Sequence, residues 1–187
     1  MVFSRGGSDI GIVGSFGIGA PAATVALEIC IELGASNIFC IGFAGSLQPY
    51  VVSGDVVLCS KAIRDEGTSY HYLPASEFVA GTEQLLTLCK ELLILNHIKF
   101  RTGISWTTDA PYRETEYEVK KLQTKGVLIV EMELAAIYAV AQVKGVSAVG
   151  LCVVSDELGN FLWKPSFHDA RVVEGIEKIF HVILGSI

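Results

Sequence analysis

Basic side chains are scarce in this sequence and are nowhere clustered. The chain has 14 Lys and Arg residues against 20 Asp and Glu residues, which gives a formal net charge of −6 at pH 7. Proteins that bind DNA or RNA neutralise phosphates with a basic patch or stripe, and this sequence has none. We therefore expect no nucleic-acid partner and look for a small-molecule ligand instead.

Cysteines and long apolar runs are also limited. The five cysteines form no CxxC pair, so we expect reduced thiols in the core of a cytoplasmic protein. The most apolar stretch, 135–154, is interrupted by Gln142 and Lys144, and residues 1–20 lack the pattern of a signal peptide. We expect no membrane partner, no metal site and no cofactor.

Several catalytic motifs are missing as well. The chain contains no HExxH, GxSxG or P-loop pattern, which removes the usual support for a metalloprotease, a serine hydrolase or a nucleotide triphosphatase. The stretch GSFGIGAPA superficially fits a dinucleotide-binding fingerprint. However, Cys40 stands at the end of the second predicted strand, where that fingerprint needs an acidic residue.

Apolar residues, in contrast, make up 51% of the 187 positions, which is enough for one domain over residues 1–187. Residues 9–42 are predicted to form a βαβ unit that consists of a strand, a glycine loop, a helix and a second strand, with Pro21 opening the helix and Gly34 ending it. Further strands are predicted near 55–60, 100–105, 126–130 and 146–155, and helices near 83–95, 131–145 and 168–184. This alternation predicts an α/β fold whose sheet is covered on both faces.

Polar groups follow four of the predicted strands, at the edge where such sheets bind ligands. They are the turn GFAGS at 42–46, the segment TTDAPYR at 107–113, the segment 131–133, and Ser155 with Asp156. Each also has a purely structural interpretation, because acidic residues stabilise helix starts and Ser, Thr and Asp form caps and turns. Taken alone, the residues leave both interpretations open.

Three longer motifs resemble the nucleoside phosphorylase superfamily, which includes purine nucleoside phosphorylases, uridine phosphorylases and methylthioadenosine nucleosidases. The motifs are IGFAGSLQPYVVSGDVVL, VEMELAAIYAVAQVKGV and LCVVSDEL, and the similarity runs from Gly11 to about Leu184. The resemblance implies a three-layer α/β/α fold with a mixed central sheet. It also implies cleavage of the N-glycosidic bond of a nucleoside, and assembly as a homo-oligomer.

The resemblance also implies roles for particular residues. In this family the glutamate matching Glu133 binds ribose hydroxyls, the methionine matching Met132 packs against the sugar, and the aspartate matching Asp156 hydrogen-bonds or protonates the purine near N7. We place Glu131 with the ribose-binding group. The residues expected near the base are Thr107, Thr108, Ser155 and Asp156.

Two departures from the family pattern bear on the substrates. Uridine phosphorylases carry a Gln and an Arg where this chain has Thr115 and Tyr117, so a purine is expected rather than uracil. Phosphorylases carry a phosphate-binding arginine where this chain has Cys40, and a neutral thiol cannot replace a guanidinium. We expect a turn at Gly42, Phe43, Ala44 and Gly45. This turn would keep the shape of a phosphate site without its charge. From the resemblance, we also expect the chain to start after the family's first strand.

Three functions are compatible with these residues. The preferred one is phosphorolysis of a purine nucleoside to free base and ribose 1-phosphate. Phosphate would be the co-substrate, and Arg5, Arg64 or Arg113 would replace the lost charge. The second is a phosphate-independent nucleosidase in which Glu131 activates water. The third is a degenerate member that binds a nucleoside without turnover.

Overall fold

Five helices and nine strands lie within residues 2–5 and 8–186, the part of the chain that this computed structural model describes. The strands are β1 (Val2–Arg5), β2 (Ser8–Gly11), β3 (Asn37–Ser46), β4 (Val56–Asp65), β5 (Phe78–Ala80), β6 (Phe100–Thr108), β7 (Val127–Glu131), β8 (Ser147–Glu157) and β9 (Lys164–Pro165). The helices are α1 (Ala20–Glu32), α2 (Glu83–Leu95), α3 (Glu116–Thr124), α4 (Leu134–Lys144) and α5 (Ala170–Ser186).

Seven of the strands form one mixed sheet, in the order β5-β4-β6-β7-β3-β8-β9. An additional antiparallel pairing between β4 and β8 closes the five inner strands into a barrel. The pairs β3–β8, β4–β6 and β6–β7 are parallel, whereas β3–β7 is antiparallel. The mixed central sheet implied by the resemblance is therefore confirmed.

Helices cover the sheet on both faces because its strands are apolar on both faces. Along β8, Ala148, Cys152 and Val154 pack into a cluster with α1 and α4, while Leu151 and Val153 pack into a second cluster with α2 and α5. Side chains alternate between the two faces of a strand, so a strand buried on both sides has an unbroken apolar sequence. This arrangement is the predicted three-layer α/β/α fold.

Helix α3 was not predicted from the sequence, and it packs against strands of the barrel. Its Val119 and Leu122 join a third cluster that includes Leu47, Trp106 and Val130. The helix begins at Thr115, whose hydroxyl accepts a hydrogen bond from the Glu118 backbone N–H while the Glu118 carboxylate accepts one from Thr115 in return. This capping box fixes the start of α3 beside the polar ends of the strands.

Two predictions about the first half of the chain are wrong. Strand β2 pairs antiparallel with β1 in a separate two-stranded sheet, so in the described part of the chain it does not lie beside β3 as a βαβ unit requires. The predicted turn at Gly42, Phe43, Ala44 and Gly45 is also absent, because these residues continue β3 as far as Ser46. The strand continues because its last residues pair with β8 on one side and β7 on the other, with a bulge between Ala44 and Gly45.

Candidate active site

The ends of four strands meet at one place. Gly45 of β3 pairs with Asp156 of β8 on one side and with Val130 of β7 on the other, and Thr107 of β6 pairs with Glu131 of β7. The polar groups that follow or end these strands are thereby brought together, as the sequence predicts. We call this place the strand-end site; its central residues are Asp156, Glu131 and Glu133.

Gly45 makes room for Asp156. A Cβ atom at position 45 would lie 2.9 Å from Asp156 Oδ2 and 3.1 Å from Val130 Cγ1. Real Cβ atoms do not approach other atoms to within 2.9 Å, so the Asp156 carboxylate would have to shift, and its close approach to the strand depends on glycine.

Asp156 is half-buried, and each of its carboxylate oxygens accepts one hydrogen bond. The buried Ser155 Oγ donates to Oδ1 at 2.8 Å, and Trp163 Nε1 donates to Oδ2 at 2.9 Å. Trp163 reaches Asp156 because β9 folds back and pairs antiparallel with Asp156 and Glu157. The sequence did not predict a role for Trp163. It reaches Asp156 only because β9 pairs with β8, and a two-residue strand such as β9 has no apolar periodicity that a sequence could reveal.

Glu131 is buried and faces the protein rather than the open part of the site. Its Oε2 accepts hydrogen bonds from the backbone N–H groups of Glu133 (2.8 Å) and Leu134 (2.7 Å), and its Oε1 accepts one from the Thr107 hydroxyl. Burial raises the pKa of Glu131 to about 7, against the lowering effect of these donors. These contacts match the structural interpretation of Glu131 as a helix cap.

Glu133 and Met132 are half-buried and lie at the start of α4. Glu133 Oε1 accepts a hydrogen bond of 2.6 Å from the backbone N–H of Gly19, at the end of the glycine loop where α1 begins. Helix starts attract anions, and here a carboxylate of the chain occupies that position. Glu133 therefore joins the glycine loop to the strand-end site.

The two threonines expected near the base are both buried, and their hydroxyls bond within the protein. Thr107 Oγ1 accepts a hydrogen bond of 3.0 Å from the Ala135 backbone N–H in addition to its bond to Glu131. Thr108 Oγ1 accepts one of 3.2 Å from the Ala110 backbone N–H. Both hydroxyls are therefore bonded to other groups of the protein.

The residues considered for phosphate binding have different surroundings. Burial raises the pKa of the Cys40 thiol, which keeps it neutral, and the Phe43 side chain is 51% exposed. The Arg64 guanidinium is buried and fixed in the loop 69–76. There it donates to Ser69 Oγ, Leu73 O, Pro74 O and Ser76 Oγ. Arg113 is exposed, and the Arg5 side chain lies outside the described residues.

A further carboxyl group with a raised pKa, Glu114, was not predicted from the sequence. It is half-buried between a short 3-10 turn at 111–113 and the start of α3. Burial raises the pKa of Glu114 to about 7, and the charges of Asp156 and Glu118 add to the effect. The sequence did not single out Glu114, because a polar residue in a predicted loop carries no pattern that marks it as functional.

Comparison with known proteins identifies the family. The model of the phosphorylase superfamily matches residues 4–183. The chain belongs to the phosphorylase superfamily. The family that the sequence motifs resemble is therefore confirmed.

Members of the phosphorylase superfamily from distant organisms are similar to this chain. A guanosine phosphorylase of Halorubrum lacusprofundi is 31% identical over 192 aligned positions, covering 98% of this chain and 78% of that protein. A DeoD-type purine nucleoside phosphorylase of Bacillus cytotoxicus is 31% identical over 154 positions, covering 81% of this chain and 65% of that protein. Among solved structures, the P. knowlesi homologue of P. falciparum PNP superposes with a TM-score of 0.75 at 23% identity, which supports the fold.

This superfamily member is shorter than several of its relatives. It spans 65% of the DeoD-type protein and 66% of the P. knowlesi chain. None of the helices within residues 2–5 and 8–186 has the length and apolarity needed to cross a membrane. The same residues contain no group of three or more His, Cys, Asp or Glu side chains placed to hold a metal ion.

Proposed function

We propose that the chain cleaves the N-glycosidic bond of a purine nucleoside by phosphorolysis, giving free base and ribose 1-phosphate. The observation that carries the proposal is the register that places Asp156 over Gly45, beside the strand that leads into Glu133. Two carboxylates at the ends of the strands on either side of β3 suit a substrate with a sugar at one end and a base at the other.

The chemistry of the reaction explains why carboxylates are useful here. As the bond between C1′ and the base nitrogen breaks, the sugar approaches an oxocarbenium ion and the base gains negative charge. In this proposal Glu133 binds the ribose hydroxyls and stabilises the positive sugar, Met132 packs against the sugar, and Asp156 contacts the base. Ser155 and Trp163 hold Asp156 in place for that contact.

The proposed preference for a purine rests on the relatives and on the sequence. The proteins named above are a guanosine phosphorylase and a purine nucleoside phosphorylase, and Thr115 and Tyr117 stand where uridine phosphorylases carry a Gln and an Arg. In the structure, Thr115 uses its hydroxyl to cap α3.

A nucleosidase is the second candidate, and one observation favours it. The N–H of Gly19 already bonds to Glu133, and β3 offers Cys40 and Phe43 rather than a cation, so the anion site has little charge of its own. Water would then replace phosphate as the nucleophile. A degenerate member that binds a nucleoside without turnover is the third candidate.

One assay separates these candidates. Inosine, guanosine, adenosine and methylthioadenosine are incubated with the full chain, with and without inorganic phosphate, and free ribose is resolved from ribose 1-phosphate. Phosphorolysis gives ribose 1-phosphate in an amount equal to the base released, and only when phosphate is present. Equal cleavage without phosphate, giving free ribose, would instead establish a nucleosidase, and no cleavage would leave a binding protein.

We further propose that the protein acts as a homo-oligomer in the cytoplasm. The resemblance supports assembly, and helix α1 exposes Val25 and Ile29 on one face, with the exposed Leu33 following at the same four-residue spacing just after the helix ends. All five cysteines are unpaired thiols, which suits a reducing compartment. Sedimentation velocity of the full chain tests assembly, and a single species with the mass of one chain would contradict it.

A further inference from the structure

The two hydrogen-bond donors on the Asp156 carboxylate differ in their exposure. Ser155 is 1% exposed, so its hydroxyl bonds to Asp156 Oδ1 from within the protein. Trp163 is 56% exposed, and its Nε1–H bonds to Asp156 Oδ2 at 2.9 Å. A ligand that reaches the Asp156 carboxylate from solvent therefore meets the Trp163 indole beside it.

The segment that carries Trp163 is held in place at both of its ends. We call residues 158–167 the return segment. At its start, the Leu158 backbone N–H donates to Ser46 O at 2.9 Å, and Gln123 Nε2 of α3 donates to Gly159 O at 2.8 Å. Further on, β9 pairs antiparallel with the end of β8. The position of the indole beside Asp156 is therefore fixed by the fold.

The indole and the carboxylate offer opposite hydrogen-bonding chemistry. An indole N–H can only donate, whereas each carboxylate oxygen has two lone pairs and can accept from a second donor. Asp156 Oδ2 thus keeps one lone pair for a ligand while Trp163 bonds to the other. An N–H can also be shared between two acceptors. The strand-end site therefore presents a donor directly beside the carboxylate.

Purines differ at the position that would meet this donor. Ring nitrogen N7 and the substituent on carbon 6 lie on the same edge of a purine. In guanine and hypoxanthine that substituent is an oxygen, which accepts hydrogen bonds, and in adenine it is an amino group, which donates them. If Asp156 contacts the base near N7, the substituent on carbon 6 is the next group along that edge and faces Trp163.

We propose that the Trp163 N–H selects 6-oxopurine nucleosides over 6-aminopurine nucleosides by donating a hydrogen bond to O6 of the base that Asp156 contacts. This inference rests on the proposed function and names its substrate class. A 6-amino group would bring a second donor up to the indole N–H and leave both without an acceptor. Sites built to hydrogen-bond one group discriminate against an analogue that cannot return the bond.

The principal test measures the binding of two free bases to the full chain by titration calorimetry. Hypoxanthine and adenine are of similar size and differ in hydrogen bonding at position 6. We expect wild type to bind hypoxanthine about 10-fold more tightly than adenine, the discrimination that one hydrogen bond supplies. Trp163→Phe keeps an aromatic ring and removes the N–H, so the ratio of the two dissociation constants should fall towards one.

Trp106→Phe is the matched control, because it makes the same replacement at the other of the two tryptophans. The Trp106 indole also donates to an aspartate, with Nε1 2.8 Å from Asp65 Oδ2, but it packs in the cluster that α3 covers. This variant should keep the wild-type ratio. A ratio that falls equally in both variants would show a general disturbance and would overturn the inference.

Tryptophan emission gives a readout that does not depend on activity. Trp106→Phe leaves Trp163 as the only tryptophan, and hypoxanthine should change its emission with the dissociation constant that calorimetry gives. Trp163→Phe leaves Trp106, which is 3% exposed, and hypoxanthine should not change that emission. Urea unfolding followed through the same Trp106 emission shows whether Trp163→Phe is folded.

The same preference should appear in catalysis. With phosphate present, we expect the ratio of kcat/KM for inosine to kcat/KM for adenosine to fall by about 10-fold in Trp163→Phe and to stay unchanged in Trp106→Phe. The ratio is the informative quantity, because the loss of a donor to Asp156 lowers the two rates together.

The outcomes separate this inference from the function on which it rests. A wild-type chain that cleaves no nucleoside, but whose preference for hypoxanthine disappears in Trp163→Phe, overturns the reaction and keeps the base contact. A wild-type chain that cleaves nucleosides but binds both bases equally, or a Trp163→Phe variant with the wild-type preference, overturns only the role of Trp163. If neither base binds measurably, the ratio of inosine to adenosine cleavage decides alone, and absence of both binding and cleavage overturns both proposals.

Discussion

Glu131 and Glu133 stand two residues apart and have different surroundings. Both were predicted to bind ribose, yet Glu131 is buried with its two oxygens bonded to Thr107 and to the start of α4. Glu133 instead bonds to the glycine loop at Gly19. A sequence shows that a helix start is rich in carboxylates, but which backbone N–H groups each carboxylate reaches depends on the tertiary structure.

Glu131 makes the stability of the protein depend on pH. Burial raises its pKa from 4.5 to about 7. Between these two pH values, Glu131 is therefore protonated in the folded chain and ionised in the unfolded chain. The stability from that proton is complete below pH 4.5 and is lost as pH rises through 7. At 1.36 kcal/mol per pKa unit the loss is on the order of 3 kcal/mol.

The variant Glu131→Gln copies the protonated form and should lack this loss. Urea unfolding at pH 5 and pH 8 measures the difference in the free energy of unfolding between the two proteins. Other titrating groups contribute equally to both proteins, so their contributions cancel in this difference. We expect the variant to gain stability relative to wild type as pH rises. A constant difference at both pH values would contradict the burial of a protonated Glu131.

At the scale of elements, strand β3 shows how local sequence and tertiary pairing compete. GFAGS has the composition of a turn, yet it runs on as strand because β7 and β8 pair with it on both sides. Gly45 is required there for space rather than for an unusual backbone angle. The close approach to Asp156 identifies it as the glycine on which the site depends.

Gly45→Ala should therefore destabilise the protein and displace Asp156. The added methyl group would meet Asp156 Oδ2 at 2.9 Å and Val130 Cγ1 at 3.1 Å, and such overpacking costs about 1–3 kcal/mol. Gly42→Ala, three residues earlier in the same strand, has nothing within 4 Å of the added atom and is the matched control for stability. Equal urea midpoints for the two variants would contradict the packing around Asp156.

The sequence was most informative where periodicity is strong. Helix α2 occupies Glu83–Leu95 as predicted, and Gly34 follows α1 with a positive φ of 98°, as expected of a helix end. The structure adds α3, β5 and β9, which are short and have little apolar pattern. One of these additions shapes the site, because β9 returns Trp163 to Asp156.

For the whole molecule, closure of the sheet explains why motifs that are distant in the sequence lie together. Residues 45, 107, 131 and 156 come from four strands, and their order in the barrel follows from pairings between segments far apart in the chain. The sequence alone predicted that these strand ends converge, since carboxyl ends of an α/β sheet bind ligands. Which side chains face the cleft depends on the bulge in β3 and on the return of β9.

The central claim is that the strand-end site cleaves a purine nucleoside with the help of Asp156. The most direct measurement is the rate of base release by wild type, Asp156→Asn and Asp55→Asn, using whichever of the four nucleosides wild type cleaves fastest. Asp55 lies just before β4, where it pairs with Arg101, and serves as the matched control. We expect kcat/KM to fall by about 100-fold or more in Asp156→Asn, because a fixed contact to the charge developing in the transition state is lost, and to stay unchanged in Asp55→Asn. A wild type that releases no base, or equal rates in all three proteins, would contradict the claim.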